Sequence, residues 1–564
     1  MNKDLRNLSI TIFLSVLVLF AWQYFFELPK QLEREAIIQQ QIQAKNKEIS
    51  DFSLSQHYKT AEEVKVVAKE KMIKFSNSKI KGQISTKGIR FIDLDLLDYK
   101  QSLDPNSLAV KLLDNAENPY FVEFGFISKD GVVEVPNTST VWSTDSKEIS
   151  PQTPGVFKWK NNQGTEFVIE IELDENYLFT IKQIVTNNSL EKIEINNYSR
   201  INRQYMPKEK ALSVSFEGAV GVFNNSLKEV SYGDLIDEGK YIYSNINKGW
   251  LGIADKYWMT SVVPDNRYSF SSNFLGYKKD GNDKFQVDFL SEAYEIAAGQ
   301  DRNYISYFYA GAKELELIDS YQKINGFDLF DRSVDFGWFY FITKPIYLLL
   351  KFFYDYLHNY GLAIIAITLV IKLLMFPLAN KSFKSMNRMK ALQPETDRLR
   401  ELYGKDQIKL NSEMMELYKR NNVNPLSGCL PLFIQIPVFF SLYKVINISI
   451  DMRHAPFYGW LKDLSAPDPT TITNLFGLLP IEPLSFISIG VLPILMALTM
   501  YIQQLLSPAP SDPIQAKVMS FLPLIFLFLF SGFPSGLLLY WTVSNIISIM
   551  QQFYLLKFSS DGKK

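Results

Sequence analysis

The sequence predicts an α-helical membrane protein, an N-terminal anchor plus a five-span core, carrying a β-rich domain on one side of the membrane. Three observations predict it. A short basic head precedes an apolar N-terminal stretch, residues 336 to 564 are apolar runs broken by short polar loops, and residues 28 to 335 have the charged texture of a water-soluble domain. The 564 residues leave room for several domains, and the 47% hydrophobic content averages over two unlike parts.

Lys3 and Arg6 lead into the apolar stretch Leu8 to Phe26, a pattern shared by secretory signals and uncleaved anchors. The stretch closes on Trp22, Tyr24, Phe25 and Phe26, aromatics suited to a membrane interface, where a signal peptide would end in small residues. An anchor over 1–27 is therefore expected, with the N-terminus in the cytoplasm and residues 28–335 in the periplasm. Residues 30–70, rich in Gln, Lys and Glu, read as a helical or flexible tether. Beyond it Ile92, Leu94 and Leu96 alternate with Asp93 and Asp95. Phe167, Ile169, Ile171 and Leu173 alternate with Val168, Glu170 and Glu172 before a turn at Asp174 to Asn176. Such alternation predicts an antiparallel sandwich.

Five later segments are expected to span: 359–379, 426–450, 484–506, 517–533 and 535–556, the last two separated by Pro534. The apolar segment 336–358 is placed by parity. Were it a span, the loop 380–425 would face the periplasm, yet that loop carries Lys381, Lys384, Arg388, Lys390, Arg398, Arg400, Lys405, Lys409, Lys419 and Arg420. Residues 336–358, with Lys344, Pro345, Lys351 and Asp355 among the apolar side chains, are thus expected to lie flat on the periplasmic surface. This leaves 380–425, 507–516 and the tail 557–564 in the cytoplasm and 451–483 in the periplasm. The loop 380–425 has helical spacing in both halves with Gly404 between them, which predicts an antiparallel helical hairpin. Met386, Met389, Met414 and Met415 either offer soft apolar surface to varied peptides or pack the hairpin on itself.

Lys372 is the candidate residue that stands out, a cation within an apolar run that has no acidic partner in any span. It lies roughly 13 Å from the basic end at Lys381, further than a lysine stem comfortably snorkels. Gln435, Thr499 and Ser548 fall at similar depths in their spans, about 12 to 14 Å. Thr368 shares the Lys372 face, and Tyr540, Ser544 and Ser548 form a line on the last span. Together they predict a wet groove open to cytoplasm and lipid. The competing reading of each hydroxyl is a bond to its own helix backbone.

Several function classes recede. The net charge of -1 gives no nucleic-acid footprint, and the single cysteine, Cys429, supports neither a disulfide nor a thiolate metal site. No metal and no cofactor are expected. His57, His358 and His454 are scattered and no catalytic residue is assigned. No glycine-rich loop ending in Gly-Lys-Ser or Gly-Lys-Thr is present, so no nucleotide is expected. A transporter would show repeats and membrane carboxylates, and a serine protease at Ser535 lacks a histidine in its span.

The stretches ITLVIKLLMFPLANKSFKSMNRMKALQPE, NPLSGCLPLFIQIPVFFSLY, SDPIQAKVMSFLPLIF and FPSGLLLYWTVSN, in that order, closely resemble the YidC membrane insertases, relatives of the Oxa and Alb proteins. The resemblance covers about residues 360–556, and the anchor and outer domain match the Gram-negative branch in plan. It implies a periplasmic domain of β-supersandwich type, a cytoplasmic hairpin and a five-span core with a groove in the bacterial inner membrane. It also implies a non-enzymatic insertase and chaperone whose partners are nascent membrane proteins, the Sec translocon, the ribosome and membrane lipids. Carried across, the groove cation falls on Lys372, the nearby threonine on Thr368, the third-span glutamine on Gln435 and the last-span aromatics on Tyr540 and Trp541. Two departures stand. The usual bacterial cation is arginine, whose planar fork lysine lacks, and the segment Thr470 to Pro483 is longer than the familiar pattern.

Overall fold

The computed structural model describes residues 70–115, 119–129, 131–205, 215–279, 281–337, 339–404, 406–421, 423, 430–472, 489–506 and 513–560. The expected anchor, most of the tether, Cys429, and residues 473–488, which include most of the Thr470 to Pro483 segment, lie outside these residues. Two compact units form. One is β-rich and runs to residue 333, and the other is helical, taking in 313–315 and everything from 334.

Among the described residues, the β-rich unit contains an eleven-stranded and an eight-stranded sheet. The alternation at 167–173 survives as the strand Thr165–Leu173, with Phe167, Ile169, Ile171 and Leu173 buried. In Arg90–Lys100 the alternation holds for Leu94 and Leu96, but a register shift against Ile80–Ser85 puts both Phe91 and Ile92 among the buried residues. A bulge of this kind breaks the two-residue period that sequence reading relies on. Phenylalanines from both sheets interlock: Phe91 of the larger sheet stands 5.1 Å from Phe179 and 4.9 Å from Phe308 of the smaller, ring centre to ring centre. The amide of Gln183 donates to the carbonyl of Gly125 across the same interior at 2.8 Å.

One end of this interior holds a charge. Arg203 donates to both carboxylate oxygens of Asp255 at 2.7 Å and to the Tyr232 hydroxyl at 2.7 Å, and that hydroxyl donates to Asp255 at 3.0 Å. Tyr232 opens helix α1 (Tyr232–Glu238), whose first turn is capped by Ser231. Burial pushes the Tyr232 phenol well above its ordinary range, which keeps it protonated and able to donate. Burial also opposes the Arg203 charge, but Asp255 and the surrounding tyrosines hold its guanidinium well above the usual value. Helix α2 (Leu315–Asn325) follows the last strand.

The helical unit contains α3 (Tyr340–Leu357), α4 (Tyr360–Ala391), α5 (Gln393–Tyr403), α6 (Gln407–Arg420), α7 (Leu430–Ile448), α8 (Val491–Leu506), α9 (Pro513–Phe530) and α10 (Ser535–Ser560). In α3 the buried residues Thr343, Ile346, Tyr347 and Leu350 keep to one face while Phe341 and Tyr356 stay exposed, an amphipathic pattern. His358, at φ 50°, ends α3, and Asn359 caps α4 by accepting from the Leu362 amide at 3.1 Å.

No helix ends at the 379/380 boundary expected between span and hairpin. Helix α4 continues to Ala391, so the first half of the 380–425 loop is two helical pieces with a restart at Gln393. Pro394, in the first turn of α5, has no amide to continue the preceding ladder, and it favours a new start. Gly404 then closes α5.

Among the described residues, α4 is the helix long and apolar enough to cross a membrane, beside shorter apolar stretches at Ile434–Ile448, Val491–Leu506 and Lys517–Phe530. Leu373 and Leu374 on α4, Phe521, Ile525 and Phe528 on α9, and Met550 and Phe553 on α10 all face outward. So much exposed apolar surface suits lipid rather than water.

Candidate functional site

Three of the candidate polar side chains of the helical unit lie on α10. Tyr540, Ser544 and Ser548 recur every four residues and so share one face. At one end of that face the Gln435 amide on α7 donates to the Tyr540 hydroxyl. At the other, Lys372 on α4 donates to the Ser548 hydroxyl at 3.0 Å, and Ser548 in turn donates to the Ser544 carbonyl at 2.9 Å. The two ends lie about 12 Å apart along the helix. Lys372 makes no ion pair with any described residue, so a neutral hydroxyl is what meets its charge.

The other candidate residues sit around this line rather than on it. Thr368 is fully buried and donates to the carbonyl of Ile364, one turn back on its own helix, at 2.6 Å. Thr499 bonds the Met496 carbonyl at 2.8 Å and accepts from the Asn545 amide at 3.1 Å, which ties α8 to α10. Trp541 turns into an aromatic cluster, with Phe439 at 4.8 Å, Phe530 at 5.1 Å and Phe526 at 5.7 Å. Ser535, the first residue of α10, is fully buried and donates to the Ala466 carbonyl at 2.9 Å, so its hydroxyl is committed to a backbone bond.

Sequence reading missed Asn545 and an ion pair between Lys444 of α7 and Asp335 at 2.6 Å. Lys444 was visible as a second cation in an apolar run, but nothing near it in sequence announced Asp335. No group of three or more His, Cys, Asp or Glu side chains is placed to hold a metal among the described residues.

Two family descriptions match the chain, "60Kd inner membrane protein" over residues 352–562 and "YidC periplasmic domain" over residues 72–349. Two relatives, each described as "Membrane protein insertase YidC", come from Rickettsia typhi and Rickettsia rickettsii strain Iowa. Each is 48% identical, with 99% of this chain and 100% of the relative covered. A solved structure described as an active YidC insertase with its first transmembrane domain resolved is 18% identical at a TM-score of 0.36, covering 87% of this chain and 94% of that one. The relatives and the two family matches carry the assignment: this chain belongs to the YidC family of membrane protein insertases.

Proposed function

We propose that the chain inserts inner-membrane proteins and helps them fold, alone or with the Sec translocon, through a polar groove open to the cytoplasm and the lipid. The observation that carries this reading is the Lys372 to Ser548 bond, a cation met by a hydroxyl on helices whose other faces are apolar. In the groove Lys372, Ser548 and Gln435, which are partly exposed, present donors and acceptors to the polar tail of a client, while the buried Tyr540, Ser544 and Thr368 shape its walls with Thr499 and Trp541. No nucleotide is required. A client helix of 20 residues gains on the order of 6 to 12 kcal/mol on entering the bilayer, which offsets moving a short polar tail once water and a cation lower the barrier.

The arrangement that goes with this function has an anchor at 1–27, a periplasmic domain of supersandwich type at 28–335, α3 on the periplasmic surface and five further spans. Both termini and the 380–425 hairpin face the cytoplasm, where the basic residues attract ribosomes and nascent chains. A photo-crosslinking residue at Ser544 or Gln435 is expected to capture the polar tail of a stalled client, whereas the same probe at the outward Leu374 captures lipid. Tail adducts at Leu374 and none at Ser544 or Gln435 would move the path to another face.

A further inference from the structure

We infer that Asp335 and Lys444 form a positioning pair that pins the start of α3 to α7, and so sets the spacing of α4 and α7, the helices bearing Lys372 and Gln435. The lysine nitrogen lies 2.6 Å from Asp335 Oδ2, with only 9% of the lysine side chain and 17% of the aspartate exposed. The other oxygen, Oδ1, accepts from the Gly337 amide at 3.0 Å, so the carboxylate is held from both sides. Gly337 stands at φ 69°, and a Cβ there would sit 3.4 Å from the Lys444 Cε. Residues 335–337 thus form a socket that admits the lysine stem.

The socket is joined to a second tie. Phe336 packs its ring 5.8 Å from Tyr340 and 6.1 Å from Tyr347, and the Tyr347 hydroxyl donates to Asp451 at 2.8 Å, just beyond the end of α7. Ser449 donates to the same Asp451 oxygen at 3.1 Å. Helix α3 is therefore fastened to the end of α7 at both points. At its own C-terminus it turns through His358 and Asn359 directly into α4, which makes it a strut between the two helices. A lysine in an apolar helix that merely snorkelled would reach for headgroups and take no partner, whereas Lys444 is buried against a carboxylate from a distant segment.

The pair can be tested in the full-length protein with Cys429→Ser. Ile346→Cys reports on the buried face of α3, and Leu442→Cys, fully buried in α7, reports on the core itself. Asp335→Asn or Lys444→Met is expected to raise maleimide labelling at Ile346→Cys about tenfold by local opening, with Leu442→Cys still protected. Client insertion falls several-fold in parallel, and the double variant Asp335→Lys/Lys444→Asp recovers both readouts. Unchanged protection of Ile346→Cys in both single variants overturns the inference. So does an equal rise at Ile346→Cys and Leu442→Cys that the double variant leaves in place, since the pair is then a folding contact alone. The insertion readout rests on the function proposed above, but the labelling readout does not, so a parent protein that inserts nothing would count against that function and not against the pair.

Discussion

Lys372→Ala is expected to slow insertion of a client with an acidic tail about tenfold more than that of its neutral-tailed twin, whereas Lys372→Arg keeps most of the parental rate. The magnitude follows from the setting. Unit charges about 4 Å apart attract by roughly 1 kcal/mol in water and about 4 kcal/mol at the effective dielectric near a protein surface, and about 1.4 kcal/mol is already a factor of ten. Ser548 keeps its bond to the Ser544 carbonyl when the lysine is gone, so the substitution removes a charge without stranding the hydroxyl proton. Arginine retains the charge, which is what this contact uses. For a lysine that only snorkelled the substitution would be neutral or slightly stabilising, because alanine relieves a burial cost of roughly 2.5 to 3.5 kcal/mol. The inserted fraction of matched clients differing only in tail charge decides between them. Equal insertion of both by the alanine variant and the parent removes Lys372 from the mechanism.

Asp255→Asn should destabilise the β-rich unit by about 3 to 5 kcal/mol, because it leaves the Arg203 charge buried without its carboxylate. Only 4% of the Arg203 side chain is exposed, and the Tyr232 hydroxyl loses its charged acceptor at the same time. Urea unfolding of the full-length protein, followed by proteolysis of the β-rich unit, should show the midpoint fall. The exposed pair Lys192 and Glu295 is the control, and Lys192→Ala should leave the midpoint in place. If Asp255→Asn moves it no further than the control, the buried network is not what secures this end of the sandwich.

What the sequence makes legible follows from how local each signal is. Thr165–Leu173 keeps a strict two-residue period and reads correctly, whereas the shift beside Phe91 and Ile92 depends on pairing with Ile80–Ser85 and leaves no local mark. Lys372 stands out because one cation in an apolar run is conspicuous, and the four-residue spacing of Tyr540, Ser544 and Ser548 places them on one face before any coordinates are known. Equal depth is a weaker guide. It grouped Thr499 with Lys372, yet Thr499 faces Asn545, because depth fixes height along a helix and not the direction of a side chain. Lys444 and Asp335 show the same limit, since their contact joins segments that sequence periodicity cannot bring together.

If the proposed groove and the hydrophobic gain of the client suffice for insertion, neither nucleotide nor translocon is needed. The measurement is protease protection of a small one-span or two-span client supplied to the purified protein in liposomes, in the absence of nucleotide and of any translocon. A protected client fragment well above that of protein-free liposomes is expected, reduced for acidic-tailed clients by Lys372→Ala. Protection no greater than in protein-free liposomes, from a protein shown to be folded and correctly oriented, would contradict that sufficiency.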